Sequence, residues 1–135
     1  MADIHKAAGV IIQNRKILAL RTRGKQSFVN PGGKLEPGET SKQALVRELR
    51  EELQIQVREE DLVAYGTYYS QAAYDPEKSL QLDAFIVKVW SGELRPDNEI
   101  DEMQWINSSL PDGMKIASIM EHDLLPKLKQ DGLVD

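Results

Sequence analysis

The stretch GGKLEPGETSKQALVRELREELQI, Gly32 to Ile55, decides how this chain is read. Thr40 suits a helix N-cap, and Gln43 three positions later completes a capping box. No Gly or Pro interrupts the chain beyond Thr40, so the spacing predicts a helix running to about Leu53. At about 100° per residue, Leu45, Leu49 and Leu53 form one apolar stripe. Glu48 and Glu52 flank that stripe, and Glu51 is the next neighbour beyond Glu48. Carboxylates at i, i+3 and i+4 share one side of a helix.

Such a cluster is costly when nothing compensates it. Like charges one turn apart repel by a few tenths of a kcal/mol on an exposed helix. Glu48 and Glu52 also border the core, where partial desolvation makes a charge harder to sustain. A divalent cation removes both objections, because magnesium takes hard oxygen ligands and combines carboxylates with waters and phosphates. The charge pattern alone equally describes a solvated face, with Arg47 and Glu51 as an i,i+4 ion pair. Upstream, Pro31-Gly32-Gly33 reads as a loop whose backbone can approach a ligand closely, or as a plain tight turn.

Around this segment the pattern alternates between strands and helices. Ala7–Ile12 and Ile17–Leu20 flank Gln13-Asn14-Arg15-Lys16 as a hairpin. Leu62–Ser70, Leu80–Trp90 and a short Met103–Ile106 read as further strands, with Ser91-Gly92 as a turn. Ile116, Ile119, Met120, Leu124 and Leu128 recur at helical spacing, which predicts a closing helix kinked at Pro126. The expected fold is an α/β sandwich with a mixed sheet, over a single domain spanning 1–135.

Composition narrows the function classes. The chain has 135 residues, 41% apolar and 29% charged, enough for one core and an ordinary polar surface. It has no cysteine, which excludes disulfides, thiolate zinc sites and cysteine nucleophiles. A net charge of −5 argues against a general nucleic-acid surface, since phosphate backbones need clustered Lys and Arg. No apolar run is long enough to span a bilayer, and the start MADIHKAAGVII lacks a signal-peptide pattern, so the expected location is cytoplasmic. His5 and His122 carry no motif and read as structural or surface residues.

The segment resembles the Nudix box, G-x5-E-x7-R-E-U-x-E-E-x-G-U, through Gly33, Glu39, Arg47, Glu48, Leu49, Glu51, Glu52 and Ile55. One fixed position departs: Gln54 stands where the pattern has its second glycine. Glycine often serves there because it accepts a left-handed conformation. The resemblance implies a Nudix-type α/β/α sandwich and a MutT-like enzyme hydrolysing a nucleoside diphosphate linked to another group. It implies magnesium as cofactor, with manganese the alternative, held by Glu48, Glu51, Glu52 and the Gly32 carbonyl. Glu48 is then also the candidate general base, and Arg47 and Glu39 support the box. A further acid from a later loop is expected at Glu99, with Glu102 the runner-up.

For substrate contacts the candidates are Gly33, Lys34 at a phosphate, and Tyr69, with Tyr68 and Tyr74, stacking on a base. Two subfamily signatures are missing. Ser108–Met120 holds no asparagine of the kind MutT-like enzymes use to read a purine. Nor does a proline follow the box as in many ADP-ribose hydrolases. The reading leans to a (d)NTP pyrophosphohydrolase releasing a nucleoside monophosphate. Its rivals are an ADP-ribose, nucleotide-sugar or dinucleoside-polyphosphate hydrolase and a non-catalytic nucleotide sensor. A small-molecule nucleotide is the expected partner, and the resemblance also makes a homodimer compatible.

Overall fold

Alternation along the first two strands sets up a core on each face of one sheet. The computed structural model describes residues 2–72, 75–97 and 99–135. β1 (Ile4–Gln13) and β2 (Lys16–Thr22) pair antiparallel through Asn14 and Arg15, at φ 52° and 61°. Left-handed residues at both turn positions match the twist of the flanking strands. Val10, Ile17 and Ala19 face one core, whereas Ile11, Leu18 and Leu20 face the other.

After β3 (Gly32–Lys34) comes α1 (Ser41–Leu53), followed by β4 (Leu62–Ala72), β5 (Asp75–Val87) and β6 (Ile100–Ile106). The sheet runs β4-β5-β1-β2-β6, with β3 also paired to β1. β5 lies parallel to β1 over Leu80–Val87, and the other ladders are antiparallel, so the sheet is mixed. α1 covers one face through Ala44, Leu45, Leu49 and Leu53. The closing helix covers the other through Ile119, Met120, Leu124 and Leu128. The architecture is the expected α/β/α sandwich.

Local differences have local causes. Gly32 and Gly33 form a strand rather than a loop, because β1 offers them an antiparallel partner at Ala8 and Ala7. β5 ends at Val87 rather than Trp90, and Ser91 instead exchanges backbone hydrogen bonds of 3.0 Å with Gln56. Before α2 (Leu125–Gln130), Met120–Leu124 forms a π turn in which the Leu125 N–H donates to the Met120 carbonyl. That widened turn precedes Pro126, which has no N–H and crowds the preceding turn.

α1 starts with the capping box that the sequence predicts: Thr40 Oγ1 accepts from Gln43 N, and Gln43 Oε1 from Thr40 N. It ends on Gln54 at φ 60°, ψ 29°, whose N–H donates to the Arg50 carbonyl. Gln54 therefore takes up the left-handed exit that glycine would adopt without strain. Gln54→Gly is expected to raise unfolding stability by roughly 0.5–1 kcal/mol, the net of relieved strain and added chain entropy. Thermal and urea unfolding of the two proteins check this; an unchanged or lower midpoint would mean that the side chain offsets the strain.

Candidate active site

Burial of the leucine stripe places two glutamates against β3. Leu45, Leu49 and Leu53 are fully buried, so Glu48 and Glu52 are carried to the edge of that core and are themselves half-buried. Glu52 Oε1 accepts a 2.8 Å hydrogen bond from the Gly32 amide. A Cβ on Gly33 would lie 2.6–2.9 Å from the Glu48 carboxyl. Gly32 sits at φ 136°, and a Cβ there would stand 2.0 Å from the Ala7 carbonyl oxygen. Only glycine lets the strand and the glutamates approach this closely.

Arg47 ties the preceding loop to the helix. Its Nε and one terminal nitrogen donate to the two Glu39 oxygens at 2.8 and 2.9 Å, a bidentate pair. It also reaches Glu48 Oε1 at 2.8 Å, the Lys34 carbonyl at 3.1 Å and, more loosely, Glu51 at 3.4 Å. Glu39 in turn accepts from the Glu36 amide at 2.8 Å. The Arg47 hydrogen bonds, then that amide, hold the Glu39 carboxyl down to about 2. Glu39 is thus a fixed anion supporting the loop, not a proton carrier.

Glu48 and Glu52 are perturbed in the opposite direction. Burial, reinforced by the charges of Glu48, Asp97 and Glu51 and opposed by the Gly32 amide, pushes Glu52 up to about 8. Burial also raises Glu48, although Arg47 opposes it. Among the described residues no lysine or arginine lies within ion-pair distance of Glu52. Perturbed carboxyls of this kind concentrate at functional sites.

The structure distributes the other candidates unevenly. Glu51 and Lys34 are exposed on the rim. Glu99 is exposed, with its carbonyl accepting from Arg23 N at 2.8 Å. Glu102 is committed to Arg21 at 3.1 Å. The loop acid whose charge acts on Glu52 is Asp97, which the sequence reading passed over; its amide donates to the Glu52 carbonyl at 3.1 Å. Tyr69 is 68% exposed and pairs with Gln81, so it lies on the opposite face from Tyr68, which pairs with Leu82. Tyr74 lies outside the described residues. His5 Nε2 is 2.6 Å from Asp83, as a structural link.

Sequence reading also passed over Lys6, a half-buried lysine whose ammonium is disfavoured by burial and by Lys34 and favoured by Glu52 and Glu48. As they stand, the acids do not form an ion cage among the described residues: Glu48 turns to Arg47 and Glu52 to Gly32. The donor chemistry nonetheless suits a hard divalent cation. Two half-buried carboxylates sit side by side, one with no cationic partner, and an exposed third lies one turn away.

The profile of the NUDIX domain matches residues 3–115. The chain belongs to the Nudix family. It is 37% identical over 97 residues to an 8-oxo-dGTP diphosphatase of Proteus vulgaris, covering 67% of this chain and 81% of that one. It is 32% identical over 107 residues to an ADP-ribose pyrophosphatase of Methanocaldococcus jannaschii, covering 76% and 62%. The solution structure of the Escherichia coli ORF135 protein superposes with a TM-score of 0.72 at 27% identity, covering 95% and 89%. This chain is a MutT-like Nudix pyrophosphate hydrolase. Among the described residues no helix is long and apolar enough to cross a membrane.

The burial of Glu52 has a measurable consequence in the metal-free Nudix enzyme. Its folded value of about 8 lies above the ordinary 4.5, so the folded state binds the extra proton. The resulting stability is full below 4.5 and is lost as pH rises through about 8. Glu52→Gln, which stays neutral, should match the wild type near pH 4.5 and exceed it by on the order of 1–3 kcal/mol at pH 9. Urea titrations in chelator across that range check it. A constant difference between the two proteins would show that Glu52 is not desolvated.

Proposed function

We propose that this Nudix hydrolase is a magnesium-dependent pyrophosphohydrolase of nucleoside triphosphates, releasing a nucleoside monophosphate. The half-buried Glu48–Glu52 pair against the Gly32–Gly33 backbone carries this reading. Glu48, Glu51, Glu52 and the Gly32 carbonyl would hold the ion, with manganese as a substitute. When bound, it supplies charge neutralisation of the diphosphate and a lower pKa for water. Glu48, whose burial raises its proton affinity, is the group that would accept the proton of the attacking water. Lys34, exposed beside the glycines, contacts phosphate. Arg47 and Glu39 hold the loop in register.

The triphosphate reading follows the relatives named 8-oxo-dGTP diphosphatase, in Proteus vulgaris and Escherichia coli. The relative named ADP-ribose pyrophosphatase supports the second reading, ADP-ribose as substrate. A panel of nucleoside triphosphates, ADP-ribose, nucleotide sugars and dinucleoside polyphosphates separates the two. Turnover should require magnesium, stop with chelator, and fall by at least about 100-fold in Glu52→Gln. Normal turnover by that variant would remove Glu52 from the metal site.

The later-loop acid is testable in the same assay. Glu99→Gln and Asp97→Asn should each cost more than about tenfold in kcat, a typical lower bound for losing a ligand or a supporting charge. Glu102→Gln should cost little, because Arg21 already engages that carboxylate. A larger loss at Glu102 than at the other two would move the acid onto β6.

A further inference from the structure

Where the first turn of α1 meets the sheet, polar side chains gather that the hydrolytic chemistry does not use. At their centre is the half-buried Asp83 carboxylate on β5. Its Oδ2 accepts from Ser41 Oγ and, at 2.6 Å, from His5 Nε2, which assigns the ring proton to that nitrogen. Its Oδ1 accepts from Thr67 Oγ1 at 2.9 Å and from Gln81 Nε2 at 3.3 Å. Burial raises the Asp83 carboxyl, but these donors, Ser41 foremost, outweigh it and hold the group below its ordinary value. One carboxylate thus joins α1 to β1, β4 and β5. Both of its oxygens are engaged by side chains of this chain, so the cluster is a joint rather than a ligand site.

The joint is in line with the site. Ser41, Glu48 and Glu52 share one stripe of α1, because steps of seven and eleven residues return to within about 20° of the same direction. In the sheet, Asp83 pairs with Ala7 and Ala7 pairs with Gly33, so the three form one row across β5, β1 and β3. Ser41 meets that row at Asp83, and the Glu48 carboxyl meets it at Gly33. The spans agree. Seven residues of helix rise about 10 Å, and two strand spacings also come to about 10 Å. α1 therefore lies across the strands, tied at β5 through Ser41 and at β3 through Glu52 and the Gly32 amide. The leucine stripe presses the helix onto the sheet without direction, whereas a hydrogen bond fixes direction.

We propose that Asp83 and Ser41 are positioning residues, whose contact fixes the roll and advance of α1 that keep Glu48 and Glu52 beside Gly32 and Gly33. Neither residue touches the substrate or an ion. The ties at the β3 end, from Gly32 and Arg47, leave the helix free to pivot about that end. A second tie about 10 Å away removes that freedom. His5, Thr67 and Gln81 hold the Asp83 carboxylate in place for it. Helix capping does not account for the contact, since Thr40 already caps α1 and alanine is a better helix former than serine. The consequence for hydrolysis rests on the reading that Glu48, Glu51 and Glu52 hold a divalent ion.

Ser41→Ala removes the tie and keeps the cap, so it tests the proposal with Ser41→Thr, which keeps the hydroxyl, as the control. In the metal-free protein, the Gly32 amide should exchange its hydrogen at least about fivefold faster in Ser41→Ala, because its acceptor Glu52 is loosened. Calorimetric titration with Mn2+ should show at least about fivefold weaker binding, the lower end of what losing a supporting contact to a metal site costs. In turnover, kcat should fall while KM stays within about twofold. Ser41→Thr should restore all three, and Asp83→Asn should behave as Ser41→Ala does. If Asp83→Asn does not fold, the two Ser41 variants still decide the matter. Unchanged Gly32 exchange in Ser41→Ala overturns the proposal, as does unchanged Mn2+ affinity where the wild type binds the ion. A wild type that takes up no Mn2+ would sink the metal-site reading, and faster Gly32 exchange in Ser41→Ala would still establish the tie.

Discussion

Two carboxylates are packed where a fold would ordinarily place apolar side chains, and most of the site depends on that constraint. The leucine stripe of α1 must face the sheet to complete its core, and Glu48 and Glu52 sit one position to its side. Both are half-buried there, Glu48 held by Arg47 and Glu52 by the Gly32 amide. On the other side stand Gly32 and Gly33, where any Cβ would strike the Ala7 carbonyl or the Glu48 carboxyl. The Gly32 amide supplies one hydrogen bond to Glu52, too little to offset desolvation, so that carboxyl is pushed up to about 8. A divalent ion would relieve the same stress.

The remaining charges are arranged so that this stress does not spread. Arg47 takes both oxygens of Glu39 and one of Glu48, which a lysine, as a point charge, could not do with the same geometry. Its hold on the Lys34 carbonyl fixes β3 relative to α1. The far end of the helix is secured differently. Gln54 turns left-handed, and the 93–97 segment then supplies the amides of Arg95 and Asp97 to the carbonyls of Leu53 and Glu52. Asp97 reaches the site because its backbone caps the helix.

How much of this was legible depends on the range of the interaction. The hairpin, the Thr40 capping box and the leucine stripe depend on residues a few positions apart, and all three stand as the spacing predicts. The carboxylate cluster was legible too, but its burial was not, because that requires β3 to arrive from elsewhere. A three-residue strand has no periodicity to announce it; Gly32–Lys34 is a strand only because β1 is there to pair with it. Asp97 was missed for a related reason, since capping by backbone amides leaves no side-chain signature. Lys6 looked like one polar residue before an apolar run, and only the β1–β5 register sets it beside Leu82.

β1 is where the two cores of the fold meet. Its odd residues Ala7 and Ile11 support the helix that carries the glutamates, while Val10 and the row through Lys6 face the closing helix. A strand buried on both faces cannot slip by one residue without exchanging the two sets. The parallel pairing with β5 over Ile4–Ile11 resists such a slip on one edge, and the short antiparallel β3 does so on the other. The glutamates on one side and the core beneath the closing helix on the other are therefore held in a fixed spatial relation.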